Sequence, residues 1–140
     1  MWTDAVPAGY SGTPLTRKLG LQPGMRVVYV GAPEDFATLL GPLPDGVRVL
    51  ARPAADLDLV VLFVRERRAL QRRLPGLQAK LAPAGMIWVA WPKRASKVAT
   101  DMTEDVVRAV ALPRGLVDVK VCAIDETWSG LKLVIRRELR

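Results

Sequence analysis

Four apolar runs alternate with helical segments along this chain, and two further strand-like stretches then follow with no helix between them. The runs are "MRVVYVG" (Met25 to Gly31), "DGVRVL" (Asp45 to Leu50), "DLDLVVLFV" (Asp56 to Val64) and "GMIWVAW" (Gly85 to Trp91). Continuous apolar strands separated by helices imply a parallel sheet buried on both faces, because each crossover helix covers one face. The last stretch, "GLVDVKVCAIDETWSGLKLVIRRELR", is patterned differently: Val117, Val119, Val121 and Ala123 alternate with Asp118, Lys120 and Cys122, and "DETWSG" supplies a turn. Such alternation suits an antiparallel edge hairpin. The expected fold is an α/β, Rossmann-like three-layer sandwich with a mainly parallel sheet and a carboxyl-terminal antiparallel hairpin. A chain of 140 residues without repeats or linkers reads as a single domain, with residues 1–12 a loosely ordered N-terminal segment.

The helices carry their own signals. In "GTPLTRKLG", Thr13 is a candidate N-cap, Pro14 the first helical residue and Gly20 the stop. "PEDFATLLG" is a second short helix, with Glu34 and Asp35 read as its caps. In "RERRALQRRLPGLQAKL", Leu70, Leu74, Leu77 and Leu81 form one apolar stripe with Arg65, Arg68 and Arg72 opposite, and Pro75 implies a kink or a restart. A last helix is expected from Asp101 to Ala111, where Asp101 and Glu104 have capping-box spacing.

Composition removes several chemistries. The chain has no His and one Cys, Cys122, so it forms no His-based triad, His-ligated metal site or intramolecular disulfide. No metal site and no catalytic residue are assigned. Cys122 lies in a strand and reads as inert and buried. The net charge of +7 invites a nucleic-acid reading, but the Arg residues sit on one helix face without interleaved aromatics, so a solvated face is the simpler account. No run is long and apolar enough to span a bilayer and no leader pattern opens the chain, which points to a cytoplasmic protein without a membrane partner. Asn is absent while Arg, Ala, Leu and Pro abound, a bias that suits a thermophile or a GC-rich genome.

Ligands in open α/β sheets bind at the carboxyl ends of strands, where strand order reverses. The loops that should meet there are "GAPEDF", "VRER" and "WPKRASKVATD". In the last, an apolar strand gives way abruptly to Lys93, Arg94, Ser96 and Lys97, which form a candidate anion site; the bland alternative is three solvated cations. Gly31, Glu34, Trp91 and Trp128 are further crevice candidates. Trp88 and Trp91 should point to opposite faces of their strand, at least one into the core. Trp128, read as a turn residue, is a candidate lid or self-association anchor, although packing on the protein's own surface is simpler. Asp125 and Glu126 are a candidate general acid/base pair, with solvated turn carboxylates the simpler reading, and Ser96 with Lys97 is a weak dyad.

The segments "LDLVVLFV" and "LAPAGMIWVAW", with the closing hairpin, resemble the central strands of class I methyltransferases in a shortened form. Over nearly the whole chain, "SGTPLTRKLGLQPG", "WVAWPKRAS", "TDMTEDVVR" and "DVKVCAIDETWSGLK" resemble a small bacterial family with no assigned activity. The resemblance implies a methyltransferase-like fold. Two departures argue against adenosylmethionine: Gly31 stands alone in the first loop, and Arg52 stands near the position of the ribose-binding carboxylate. One strand-helix unit of the methyltransferase pattern is also missing, since only four strands precede the closing hairpin. The resulting expectation is a methyltransferase-like module without methyltransferase activity and without cofactor. It would bind a small anionic ligand or a protein partner at the carboxyl edge of the sheet, with homo-oligomerisation a further expectation. The alternatives are a divergent methyltransferase-like enzyme and a nucleic-acid-associated basic protein.

Overall fold

In the computed structural model, which describes residues 13–140, one sheet contains β1 (Arg26–Val30), β2 (Arg48–Leu50), β3 (Leu57–Phe63), β4 (Leu81–Pro92), β5 (Leu116–Ala123) and β6 (Trp128–Ile135). The expected loosely ordered segment, residues 1–12, lies outside the described residues. The strand order is β2-β1-β3-β4-β6-β5. The first four strands are parallel, with Val27 opposite Leu59 and Val60 opposite Ile87, whereas β6 pairs antiparallel with both β4 and β5. This is the Rossmann-like arrangement expected, with its edge hairpin. The chain moves outward from β1 to β2 and then returns to place β3 on the other side of β1. Strand order therefore reverses between β1 and β3, and a crevice opens at their carboxyl ends.

Two apolar layers flank the sheet. On one face α3 (Arg67–Ala79) and α4 (Glu104–Ala111) bury Leu70, Leu74, Leu77 and Val107 against Val60, Ile87 and Trp91. On the other, α1 (Leu15–Leu19) and α2 (Phe36–Leu40) bury Leu19 and Phe36 against Val61, Phe63 and Trp88. Trp88 and Trp91 thus occupy opposite faces, as the two-residue strand period requires. Trp88 is wholly buried, and its indole Nε1–H donates to the Leu19 carbonyl at 2.9 Å. No helix among the described residues is long and apolar enough to cross a membrane.

Several local expectations are corrected. Pro14, not Thr13, occupies the cap position of α1, while Gly20 ends that helix with φ 86°. Asp35 precedes α2 but makes no side-chain cap bond. Helix α3 runs through Pro75 without interruption. Leu81, read as the end of the helical stripe, instead begins β4 opposite Leu57, and a register shift between Leu57 and Leu59 absorbs the extension. Helix α4 starts at Glu104, with Thr103 Oγ1 accepting from Val106 N at 3.1 Å. A register shift between Asp118 and Lys120 breaks the expected alternation of β5, leaving Val119 and Val121 52% and 46% exposed on the sheet edge.

Candidate functional site

The crevice between β1 and β3 is a cleft of about 560 Å³. Gly31 leaves β1 with φ +70°, and a Cβ there would stand 2.9 Å from the Phe63 carbonyl oxygen. A side chain would therefore push the first loop off β3, while glycine lets the two backbones meet. Ala32, Pro33 and Glu34 continue this wall, with Glu34 exposed to solvent. Phe63, Val64 and Arg65 form the facing wall, Arg72 and Arg73 reach in from α3, and Trp128 closes the hairpin side.

Trp128 is the first residue of β6 and only 8% exposed, so it is neither a lid nor an exposed self-association anchor. Its ring ends an edge-to-face series with Phe63, Phe36 and Tyr29, each successive pair of centroids 5.0 Å apart. Such geometry fixes the cleft floor. Asp125 Oδ1 accepts from the backbone N–H groups of Thr127 and Trp128 at 2.8 and 2.7 Å, so it organises the turn and forms no acid/base pair with Glu126.

A second cleft, also about 560 Å³, lies under the loop after β4. Lys93, Arg94 and Lys97 line it together with Trp91, Val98 and Ser129. Ser96 lines neither cleft: its hydroxyl donates to the Lys93 carbonyl at 2.6 Å and accepts from Val98 N at 3.2 Å. That hydroxyl's single proton is committed to the loop, so in this structure it braces the turn and faces neither cleft. Val98 borders both clefts. The structure thus divides the eight candidate residues: Gly31, Glu34 and Trp128 meet at the first cleft, Trp91, Lys93, Arg94 and Lys97 at the second, and Ser96 braces the loop between.

Sequence reasoning passed over Phe63, Arg72 and Arg73 as site residues. Arg72 was read as part of a solvated helix face, and it is exposed, but that face begins beside the carboxyl end of β3. The available signal was position alone: Phe63 is the last residue of a central strand, and Arg72 and Arg73 lie on the helix that follows it. Arg52 is exposed and forms no part of the first cleft's wall. It therefore does not occupy the place a ligand would take.

Away from the clefts, Arg108 on α4 bridges Asp118 on β5 at 3.0 Å and also pairs with Glu104 and Asp105. The hydrogen bond from Arg108 holds the Asp118 carboxyl below its ordinary range. Cys122 is half-buried rather than fully buried, and burial pushes its thiol pKa up against the opposing influence of Lys18 and Lys120. Among the described residues no group of His, Cys, Asp or Glu is arranged to hold a metal ion.

No protein-family model and no curated protein matches the chain. Solved structures do. A methyltransferase from Aquifex aeolicus that depends on S-adenosylmethionine superposes with a TM-score of 0.59 at 16% identity, covering 86% of this chain and 88% of that one. Fibrillarin from Aeropyrum pernix, in complex with natively bound S-adenosyl-L-methionine, gives 0.56 at 15% identity and covers 90% of this chain and 70% of its own. TrmN from Thermus thermophilus gives 0.55 at 17% identity over 86% of this chain, which spans 47% of the TrmN chain. The architecture is methyltransferase-like. These neighbours correct the expectation that no cofactor belongs here and that adenosylmethionine is disfavoured, since the Aquifex enzyme depends on that cofactor and the Aeropyrum fibrillarin holds it. The physical premises were also weak: Arg52 stands clear of the cleft, and at the cleft wall a Cβ on Gly31 would collide with the Phe63 carbonyl of β3, so one glycine there suffices for the close approach.

Proposed function

We propose that the chain is a divergent methyltransferase-like domain whose first cleft receives adenosylmethionine. The observation that carries the proposal is the close approach of Gly31 to the Phe63 carbonyl at the strand reversal, which builds a cleft of about 560 Å³ where this architecture binds ligands. That volume lies within the roughly 300–1,000 Å³ common for small-molecule sites. When bound, the cofactor supplies a methyl group carried on a positively charged sulfur.

The chain's own residues fit the task of holding it. Glu34 presents a carboxylate on the first-loop wall, where it can accept hydrogen bonds from ribose hydroxyls. Arg65, Arg72 and Arg73 supply donors for a carboxylate on the other side. Phe63 and Trp128, packed edge to face, give a stiff apolar floor that excludes water. The reading of a module without methyltransferase activity finds no support in the comparisons, and the divergent-enzyme reading takes its place. Membership of the small bacterial family and a cytoplasmic location belong to the proposal on the strength of the sequence alone.

Titration calorimetry with adenosylmethionine and adenosylhomocysteine tests this reading. Micromolar binding is expected, weakened about tenfold in Glu34→Gln, which corresponds to about 1.4 kcal/mol for one charge-assisted hydrogen bond. Absence of binding at millimolar ligand would remove the proposal.

A further inference from the structure

We infer that the second cleft binds a small molecule with an apolar body and an anionic group, a carboxylate or a phosphate ester. Its walls divide by chemistry. Trp91, Val98 and Met102 provide the apolar surface, and Lys93, Arg94 and Lys97 line the same cleft as cations. Among the described residues these three side chains make no hydrogen bond or ion pair, whereas the carboxylates on the rim are engaged. Glu104 pairs with Arg108, and Asp101 accepts from Arg67 N. The three cations are left for a ligand, while Glu104 is neutralised by Arg108 and Asp101 is turned to a backbone donor.

The backbone carrying the cations is held in place. Lys93 N donates to the Thr127 carbonyl at 2.7 Å, the Ser96 hydroxyl braces the turn, and Thr100 Oγ1 donates to the Arg65 carbonyl. Lys97 adopts φ +62°, a left-handed conformation that a lysine enters at some cost. A solvated loop needs none of these restraints, whereas a preorganised anion site loses less entropy on binding. Ser129, paired with Trp91 across β4 and β6, also lines the cleft.

Because Val98 borders both clefts, a ligand here lies beside the first cleft. Its role as the second substrate of the same enzyme rests on the transferase reading; the binding itself does not.

The test uses phenyl phosphate, benzoate, inorganic phosphate and phenol as probes, with binding followed by calorimetry at fixed ionic strength. Phenyl phosphate or benzoate should bind at least tenfold more tightly than phenol and more tightly than inorganic phosphate; which of the two binds better identifies the anionic group. Lys93→Ala combined with Arg94→Ala should weaken that binding at least tenfold and leave the ligand-free melting temperature unchanged, since exposed charges contribute little to stability. Arg94→Ala combined with Lys97→Gly removes charge while retaining a left-handed backbone, so it supplies the same readout if the first variant folds poorly. Unchanged affinity in both variants, or equal affinity for phenol and phenyl phosphate, would overturn the inference. Glu34→Gln should leave phenyl phosphate and benzoate affinity intact. Loss of adenosylmethionine binding alone would therefore count against the first cleft, and loss of anion binding alone against the second.

Discussion

The Asp101 carboxylate accepts a hydrogen bond from the backbone N–H of Arg67 at 2.7 Å, joining residues 34 positions apart. Arg67 opens α3, and Glu66 before it makes no side-chain cap bond. A residue from the loop after β4 therefore satisfies an exposed donor at the start of another helix. Together with the Thr100 bond to the Arg65 carbonyl, it locks the loop between the two clefts onto the end of β3.

Removing this remote cap should cost about 1 kcal/mol, so Asp101→Ala is expected to lower the melting temperature by about 4 °C. Asp101→Asn, which keeps an acceptor oxygen, should recover most of the loss. Scanning calorimetry on the three proteins checks this, and identical transitions would show that the bond contributes nothing.

Trp88 makes a different kind of long-range tie, since its buried indole donates to Leu19 and holds α1 on the sheet. Trp88→Phe retains most of the apolar area but strands the Leu19 carbonyl. The midpoint of urea denaturation should fall by an amount equivalent to about 1–3 kcal/mol, with the slope unchanged. A midpoint equal to that of the unaltered protein would mean that water replaces the indole without loss.

The bridge from Arg108 to Asp118 carries a pH signature. Because the folded protein holds the Asp118 carboxyl below its ordinary range, the bridge stabilises the fold above about pH 4. That contribution disappears as pH falls through the depressed folded value. Asp118→Asn should be less stable than the unaltered protein at neutral pH and should lose stability less steeply below about pH 4. Glu104 and Asp105, which also pair with Arg108, remain in both proteins and provide a common background. Parallel stability curves would exclude the linkage.

Gly31→Ala places a methyl group 2.9 Å from the Phe63 carbonyl in a backbone conformation that disfavours side chains. About 1–2 kcal/mol of destabilisation is expected from the left-handed conformation alone. Adenosylhomocysteine affinity should fall by more than the stability loss explains, because the loop must lift off β3. Unchanged affinity would separate this glycine from the first cleft.

The strands were legible in the sequence because a sheet covered on both faces demands continuous β-branched runs, and the two-residue period assigned Trp88 and Trp91 to opposite layers. Leu81 was misread because it continues the leucine spacing of α3 although its backbone has already entered β4. Asp101 was assigned to the nearest helix, since local spacing carries no trace of a partner such as Arg67. The burial of Trp128 depends on pairing across β4 and β6, which turn chemistry alone does not reveal. The basic loop was legible as an abrupt change of residue type after Trp91. Its separation from the first cleft, and the internal use of Ser96, required the folded backbone.

The most direct measurement of the central claim is amide chemical-shift mapping by NMR as adenosylhomocysteine is added to the isotopically labelled protein. Saturable shifts concentrated at Gly31, Ala32, Glu34, Val64 and Arg65 are expected, with weaker effects reaching Val98. Shifts absent at saturating ligand, or clustered away from the carboxyl ends of β1 and β3, would contradict the assignment of the first cleft to the cofactor.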